Sequence, residues 1–240
     1  MAVTASEISK NRWLLQLRTG CAVARFDSRP IPDQTMEEIL EAGCRTTSPW
    51  NLQPWQFIVV RTEAARAELI RHCPDPGPAT SAPVLMVGVG NPRAWKQAPE
   101  RLAELIRNGV LPPGQDVQHL ERIQRRWSVG DTARVFAITQ TYAALQQVCL
   151  AALACTVCSH WVHEFDPAAV TSALHIPEHL VVVGIVALGY CEQATPQPLA
   201  SIGRSVFAEA FGLPWPRPGE KQPESSARDS CTAKRSSTTS

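Results

Sequence analysis

The feature that most constrains the fold of this chain is a long apolar stretch, Asp131 to Cys158, dominated by alanine and leucine. The stretch is predicted to form one long helix. Its apolar residues occur on most sides of that helix, so most sides are expected to be buried. A buried helix needs a surrounding core, and the chain has 240 residues, of which 44% are hydrophobic. This is enough for one domain with a single large core.

Short apolar runs elsewhere in the chain are predicted to be strands: Gln56 to Arg61, Pro83 to Val89 and Leu180 to Leu188. Helical patterns separate these runs, so a sheet wrapped by helices is expected. In the second helix, Asp33 is expected to cap the start and Gly43 to end it. The predicted helices besides the long one are Ser6 to Thr19, Asp33 to Gly43, Glu63 to His72, Arg101 to Arg107, Val117 to Trp127 and Pro167 to Leu174.

The charge balance argues against two classes of partner. There are 23 basic and 22 acidic residues, a net charge of +1, so nothing favours nucleic acid or an anionic membrane surface. Apolar runs such as Val181 to Leu188 are too short to span a bilayer, and Met1 to Asn11 lacks the apolar core of a signal peptide. A soluble, cytoplasmic protein is therefore expected.

The eight cysteines are scattered along the chain, and several lie in apolar helical stretches. In a chain of this size, free buried thiols are favoured over a disulfide framework. Cys155 and Cys158, followed by His160 and His163, have a spacing that also suggests a zinc or dithiol site. The alanine-rich surroundings favour structural packing, and no metal site is predicted.

One segment carries a family resemblance: Thr46 to Val60, which reads T-T-S-P-W-N-L-Q-P-W-Q-F-I-V-V. It resembles the signature of the nitroreductase family of flavin enzymes. Further matches follow in the family's order, from about residue 10 to about residue 210. The matching residues are Arg25-Phe26, Ile31-Pro32, Ser48, Asn51, Gln53, Pro54, Trp55, Gln146 to Ala152, Trp161 to Asp166, Ile176-Pro177, Leu188 to Tyr190 and Arg204.

The resemblance implies an α+β fold with a central, mostly antiparallel sheet wrapped by helices. It also implies an intertwined homodimer with the active site between the subunits. The family-like domain would span residues 1–213. Residues 214–240 would form a tail rich in proline, serine and charge, disordered at its end.

The resemblance further implies bound flavin mononucleotide (FMN) and hydride transfer to a small planar acceptor, with NAD(P)H as a candidate electron donor. The segment around Asn51 would reach into the partner subunit's pocket. The backbone of Trp161 to Glu164 would face the flavin edge, and Arg204 would hold the phosphate. The expected cofactor-binding residues are Arg18, Arg25, Ser48, Pro49, Trp50, Asn51, Gln53, Trp161, Val162, His163 and Arg204.

The chain departs from the family pattern at the cofactor. Where the family carries an arginine cluster, an ungapped alignment gives Gly20, Cys21, Ala22, Val23 and Ala24. Each lost charge-assisted hydrogen bond costs roughly 1.5 to 3 kcal/mol. Two other departures are Glu164 and Thr156, both at positions where the family has glycine.

Two functions therefore stay open from the sequence. The first is an FMN-dependent oxidoreductase. The second is a flavin-independent member of the fold, which binds a ligand in the cleft or uses His163 and Glu164 as an acid/base pair. Trp50, which replaces a small residue of the family, could cap the pocket or stack on a planar ligand.

Overall fold

The computed structural model describes Leu17, residues 21–191, residues 194–196 and residues 202–216. The strands are β1 (Cys21–Val23), β2 (Trp55–Val60), β3 (Val84–Gly90), β4 (Cys158–Val162), β5 (Val181–Gly189) and β6 (Ala194–Pro196). The helices are α1 (Asp33–Cys44), α2 (Glu63–Ile70), α3 (Ala98–Arg107), α4 (Asp116–Trp127), α5 (Thr132–Ala154) and α6 (Pro167–Ala173).

Four strands form the central sheet in the order β2-β3-β5-β4, and every neighbouring pair is antiparallel. β1 and β6 form a separate antiparallel pair. The central strands are rich in valine and isoleucine, which suit a pleated, buried surface. The expected α+β fold with a mostly antiparallel sheet is confirmed.

Both faces of the sheet are covered, which explains why β3 is buried along its whole length. On one face, residues such as Val87 and Ile185 pack with Leu69 of α2 and Val170 of α6. On the other face, Met86 and Val186 pack with α1 and α5. The strands of such a layered arrangement read as continuous apolar runs, and these runs made β3 and β5 recognisable in the sequence.

Helix α5 is the long helix that the sequence predicts, with its C-terminal end four residues earlier. It is long and apolar enough to cross a membrane by length and composition, with a mean hydropathy of 1.2 over its most apolar window. Its buried residues, which include Ala144, Leu145 and Val148, face α1 and the sheet. Only 39% of the apolar window is buried, so one side of α5 is less covered than the sequence predicts.

Helix α1 corrects two expectations about how it begins and ends. Pro32 precedes the helix, and Asp33 is its first residue; the Asp33 side chain makes no capping bond and pairs with Arg61 instead. Gly43 lies inside the helix, one residue before its end. A Cβ on Gly43 would lie 2.4 Å from Cγ2 of Val148, so this glycine permits the close approach of α1 and α5.

The end of α5 explains why the sequence missed strand β4. Thr156 has a φ of 59°, and the amide of Val157 donates to the carbonyl of Ala152 at 2.8 Å. The amide of Thr156 donates to the carbonyl of Leu153 at 3.1 Å. These two bonds form a Schellman motif, which normally has glycine in the left-handed position. Because threonine gives no stop signal, the predicted helix continued wrongly to Cys158.

The cysteines correct a further expectation. Cys158, at the start of β4, forms a disulfide with Cys191, which follows β5, across a sequence separation of 33 residues. Cys158 was expected to be a free thiol in the core. Among the described cysteines, the free ones are Cys44, Cys73, Cys149 and Cys155.

The described residues 202–216 belong to a second compact unit, separate from the residues up to Pro196. Its described part contains a short 3-10 turn, Ile202–Arg204, and an isolated bridge between Phe207 and Pro214. The expected domain boundary after residue 213 lies within this part and stays a prediction, as does the disorder expected at the end of the tail.

Candidate active site

Strand β4 is the edge of the central sheet, and its position defines the first part of the candidate site. Among the described strands, β4 pairs with β5 alone, so its other edge has backbone donors and acceptors outside the sheet ladder. Strand β1 and the 3-10 turn Gly77–Ser81 both contact β4. Backbone groups at such an edge can bind a partner through main-chain hydrogen bonds.

The side chains of Trp161 and Val162 are used for packing. The Trp161 ring stacks on Tyr142 of α5, with centroids 4.7 Å apart and planes 5° from parallel. A Cβ on Gly184 would lie 2.9 Å from this ring, so the glycine makes room for it. Val162 is buried on the opposite face of the sheet. If this segment contacts a ligand, it therefore does so through its backbone, as the resemblance implies.

His163 and Glu164 follow β4 and are both exposed. In the described part of the chain, neither side chain has a hydrogen-bond partner or an ion pair within 4 Å. His160, inside β4, is half-buried. Burial lowers the pKa of His160, the nearby His163 lowers it further, and Asp75 opposes the shift.

Strand β1 occupies the positions aligned with the family's arginine cluster. The amide of Phe26, just after β1, donates to Oγ of Ser81 at 2.9 Å, which ties this segment to the Gly77–Ser81 turn. Arg25 is exposed and forms no ion pair within the described residues. Arg18 lies outside the described residues. Arg25 is thus the cation that the described structure offers beside β1.

The turn from Ser48 to Gln53 forms the second part of the candidate site. Trp50, Asn51 and Gln53 have φ values of 51°, 54° and 43°, a left-handed conformation that is costly for residues other than glycine. Two hydrogen bonds hold the turn. The amide of Gln53 donates to Oγ of Ser48 at 2.9 Å, and Nε2 of Gln53 donates to Oδ1 of Asn51 at 3.0 Å. Such strained backbone is concentrated at functional sites.

Trp50 is half-buried in an aromatic cluster. Its indole Nε1 donates to Nδ1 of His119 on α4 at 3.0 Å. Its ring meets Trp127 edge-on, with centroids 5.3 Å apart. Trp55, in contrast, is buried and 7% exposed, as a core residue should be.

A cleft of about 760 Å³ opens beside this aromatic cluster, between α4 and the start of α5. The cleft was not predicted from the sequence, although Arg122, Arg125 and Arg126, at spacing i, i+3 and i+4 on α4, were a readable signal. The lining residues are Pro49, Trp50, Arg122, Arg125, Arg126, Trp127, Thr132, Val135, Phe136, Thr139 and Gln140.

Arg204 is exposed at the end of the 3-10 turn Ile202–Arg204, inside the second compact unit. Its expected role at a phosphate stays a prediction.

Comparison with known proteins decides the family. The profile of the nitroreductase family matches residues 22–190. This chain belongs to the nitroreductase family. A relative from Thermus thermophilus named NADH dehydrogenase is 32% identical to it over 189 residues, which cover 78% of this chain and 90% of that protein.

Solved structures show the same nitroreductase fold. A nitroreductase-like protein from Streptococcus mutans aligns with a TM-score of 0.75 and 18% identity, covering 83% of this chain and 98% of that one. A candidate nitroreductase from Exiguobacterium sibiricum, solved in complex with FMN, aligns with a TM-score of 0.71 and 17% identity, covering 78% and 92%. The expectation of an oxidoreductase of the nitroreductase family is confirmed at this level.

The residues of this nitroreductase-family site suit the two parts of FMN, its ring and its phosphate, to different degrees. The outer edge of β4 has backbone donors and acceptors that could pair with the polar rim of the ring. β1 provides no basic side chain, because it reads Cys-Ala-Val. Arg25 is the one described cation immediately beyond β1, and a phosphate normally attracts several cations or a helix N-terminus. The residues therefore fit the ring, with weaker support for the phosphate.

Proposed function

We propose that this protein is an FMN-dependent oxidoreductase that transfers a hydride between reduced nicotinamide and a small planar acceptor. The observation that carries the proposal is the edge of β4, with β1 beside it at the positions of the family's cofactor cluster. Two names support it: the Thermus thermophilus relative is called an NADH dehydrogenase, and the Exiguobacterium sibiricum structure holds FMN. We take NADH or NADPH as the electron donor.

The flavin would supply the hydride-transfer chemistry when bound. The protein's part is to bind and orient. The backbone of residues 161–164 would hold the polar rim of the ring, and Arg25 would attract the phosphate. Ser48, Pro49, Trp50, Asn51 and Gln53 would border the ring from the partner subunit. Arg18 and Arg204 are further candidates for the phosphate, and His163 and Glu164 lie at the mouth of the site.

We also propose the homodimer that this arrangement needs. Helix α5 carries two exposed large hydrophobic residues, Val135 at 56% and Tyr142 at 46% exposure. They lie seven residues apart and therefore on one side of the helix. A second subunit on that side would bury Tyr142 and lie beside Val135, which lines the neighbouring cleft. Light scattering should give the mass of two chains, and Tyr142→Glu should shift it towards one, whereas Glu121→Gln on α4 should not.

A second candidate function rests on the absence of basic side chains from β1, where the family has its arginine cluster. Because β1 carries no basic side chain, the fold could serve as a flavin-independent dimer that binds a ligand or performs acid/base chemistry with His163 and Glu164. In that case the purified protein would stay colourless after incubation with FMN. Its activity would then depend on His163 and Glu164 and not on added flavin.

The proposed function is tested by flavin retention. The full-length protein is incubated with FMN, separated from free flavin by gel filtration, and its visible absorption is compared with that of Arg25→Ala. We expect the unaltered protein to retain flavin. Arg25→Ala should weaken FMN binding about tenfold, the loss of one charge-assisted bond. Arg107→Ala, an exposed cation at the end of α3, is the control. Equal retention by both variants would show that Arg25 does not hold the phosphate.

A cytoplasmic location stays a prediction. Disulfides are rare in the cytosol. The redox state of Cys158 and Cys191 in intact cells therefore reports which compartment holds the protein. Rapid alkylation of whole cells should trap both residues as thiols if the protein is cytoplasmic. A disulfide recovered from intact cells would indicate an oxidising compartment.

A further inference from the structure

We propose that the cleft between α4 and α5 binds a planar aromatic carboxylate. Arg122, Arg125 and Arg126 would hold the carboxylate, while Trp50, which packs on the buried Trp127, borders the ring. All five residues line the cleft. Binding of such a molecule does not require the flavin. Its use as the electron acceptor rests on the proposed function, because Pro49 and Trp50 belong to the turn proposed to border the flavin of the partner subunit.

The first argument is the charge arrangement on α4. Arg122, Arg125 and Arg126 are spaced i, i+3 and i+4, so they project from one face of the helix. Like charges at this spacing destabilise a helix. Within the described part of the chain, no carboxylate oxygen lies within 4 Å of any of the three guanidinium groups. An anion in the cleft would neutralise these three positive charges, which have no carboxylate partner among the residues that the structure describes.

The second argument is the aromatic wall beside these arginines. The Trp127 ring meets Trp50 edge-on, at 5.3 Å between centroids, and lies 4.5 Å from the centroid of Phe136 at a tilt of 37°. The bond from Trp50 to His119 fixes the orientation of the first ring. Such a wall favours a flat aromatic ligand in offset or edge-on contact.

The third argument is the match between the shape of the donors and the ligand. A guanidinium group is a planar fork that binds a carboxylate through two parallel hydrogen bonds. The cleft volume of about 760 Å³ lies within the range usual for small-molecule sites. Thr132, Thr139 and Gln140 add polar groups to its wall. Cations, aromatic rings and size together indicate an aromatic acid and not a neutral nitroaromatic.

The test measures binding of 2-naphthoate to the full-length protein by calorimetry, with quenching of tryptophan fluorescence as a second readout. The neutral analogue 2-naphthamide has the same ring without the charge. The test variant is Arg122→Gln/Arg126→Gln. The matched control is Arg107→Gln/Arg134→Gln, which removes two exposed arginines outside the cleft. Unfolding midpoints of both variants check that each remains folded.

We expect 2-naphthoate to bind at least about tenfold more tightly than 2-naphthamide. The cleft variant should raise the Kd for naphthoate about tenfold, as the loss of two exposed charge contacts predicts. The control variant should change it less than about twofold, because its cations lie outside the cleft and act through screened, long-range charge. Equal binding of the two probes, equal effects of the two variants, or no binding of naphthoate would each overturn the inference.

Failure of the cleft inference can be distinguished from failure of the proposed flavin function. If naphthoate binds as expected to protein that retains no FMN, the cleft is confirmed and the flavin function is wrong. If the protein retains FMN and oxidises NADH but does not distinguish the two probes, the cleft is wrong and the flavin function stands.

Discussion

The indole Nε1 of Trp50 donates a hydrogen bond to Nδ1 of His119 at 3.0 Å, and the two residues are 69 positions apart in the chain. This bond links the strained turn after α1 to helix α4. It also holds the Trp50 ring against Trp127, at the side of the arginine-lined cleft. The aromatic wall of the cleft therefore depends on a polar contact as well as on apolar packing.

The energy of this link should be measurable as a coupling in a double-mutant cycle. We expect Trp50→Phe and His119→Ala each to destabilise the protein. Their coupling energy should be about 0.5 to 1.5 kcal/mol, the net value of a typical hydrogen bond. Urea unfolding of the four proteins gives the number. A cycle of Trp95→Phe with His119→Ala serves as the control, since Trp95 belongs to the same apolar cluster. Equal coupling in both cycles would exclude a specific bond.

Thr156 should be a site of stabilisation. Its φ of 59° is unfavourable for a β-branched residue and natural for glycine. Thr156→Gly should therefore raise the free energy of unfolding by about 1 kcal/mol, which corresponds to a rise of roughly 2 to 4 °C in Tm for a domain of this size. Ala154→Gly, two residues earlier and exposed at the helical end of α5, should lower Tm. A fall in Tm for Thr156→Gly would contradict the left-handed conformation.

The disulfide between Cys158 and Cys191 should contribute to stability. It closes a loop across 33 positions, and a disulfide of this kind typically stabilises by about 2 to 4 kcal/mol. Cys158→Ser/Cys191→Ser should therefore lower the urea midpoint, and dithiothreitol should have no further effect on that variant. Cys44→Ser, which alters an exposed free thiol, is the control. Alkylation of both Cys158 and Cys191 in unreduced, purified protein would show that the bond is not formed.

His160 should make stability depend on pH. Its pKa is lowered, mainly by burial, so the unfolded chain takes up the proton more readily than the folded one. The stability contributed by neutral His160 is complete above the unfolded pKa of about 6.5 and is lost as pH falls through that value towards the lower folded pKa. His160→Gln should therefore reduce the loss of stability between pH 7.5 and pH 5. His179→Gln, in an exposed loop, is the control; identical pH profiles of the two variants would contradict this role.

Much of the fold could be predicted from the sequence because its central elements are continuous in the chain. β3 and β5 are buried on both faces, so they read as uninterrupted apolar runs. Strand β4 could not be found in this way. It is a half-buried edge strand that follows a helix end without glycine. Gly43 was misjudged because its role, a close approach to Val148, depends on a helix more than a hundred residues away.

The sequence predicted the candidate site only where neighbouring residues in the chain form it. The turn around Asn51 was recognised from consecutive residues, and its left-handed backbone is consistent with a functional role. The disulfide and the cleft were missed because each joins elements that are far apart in sequence. Cys158 meets Cys191 only through the pairing of β4 with β5, and the arginines of α4 meet Trp50 only after folding.

The most direct test of the central claim is an anaerobic titration of the FMN-reconstituted protein with NADH, followed by the visible absorption of the flavin. If the protein is a flavin-dependent hydride-transfer enzyme, one equivalent of NADH per bound flavin should bleach the oxidised band. Addition of a nitroaromatic acid should then restore it. Protein that acquires no flavin band on reconstitution, or whose band is unchanged by excess NADH or NADPH, would contradict the proposed function.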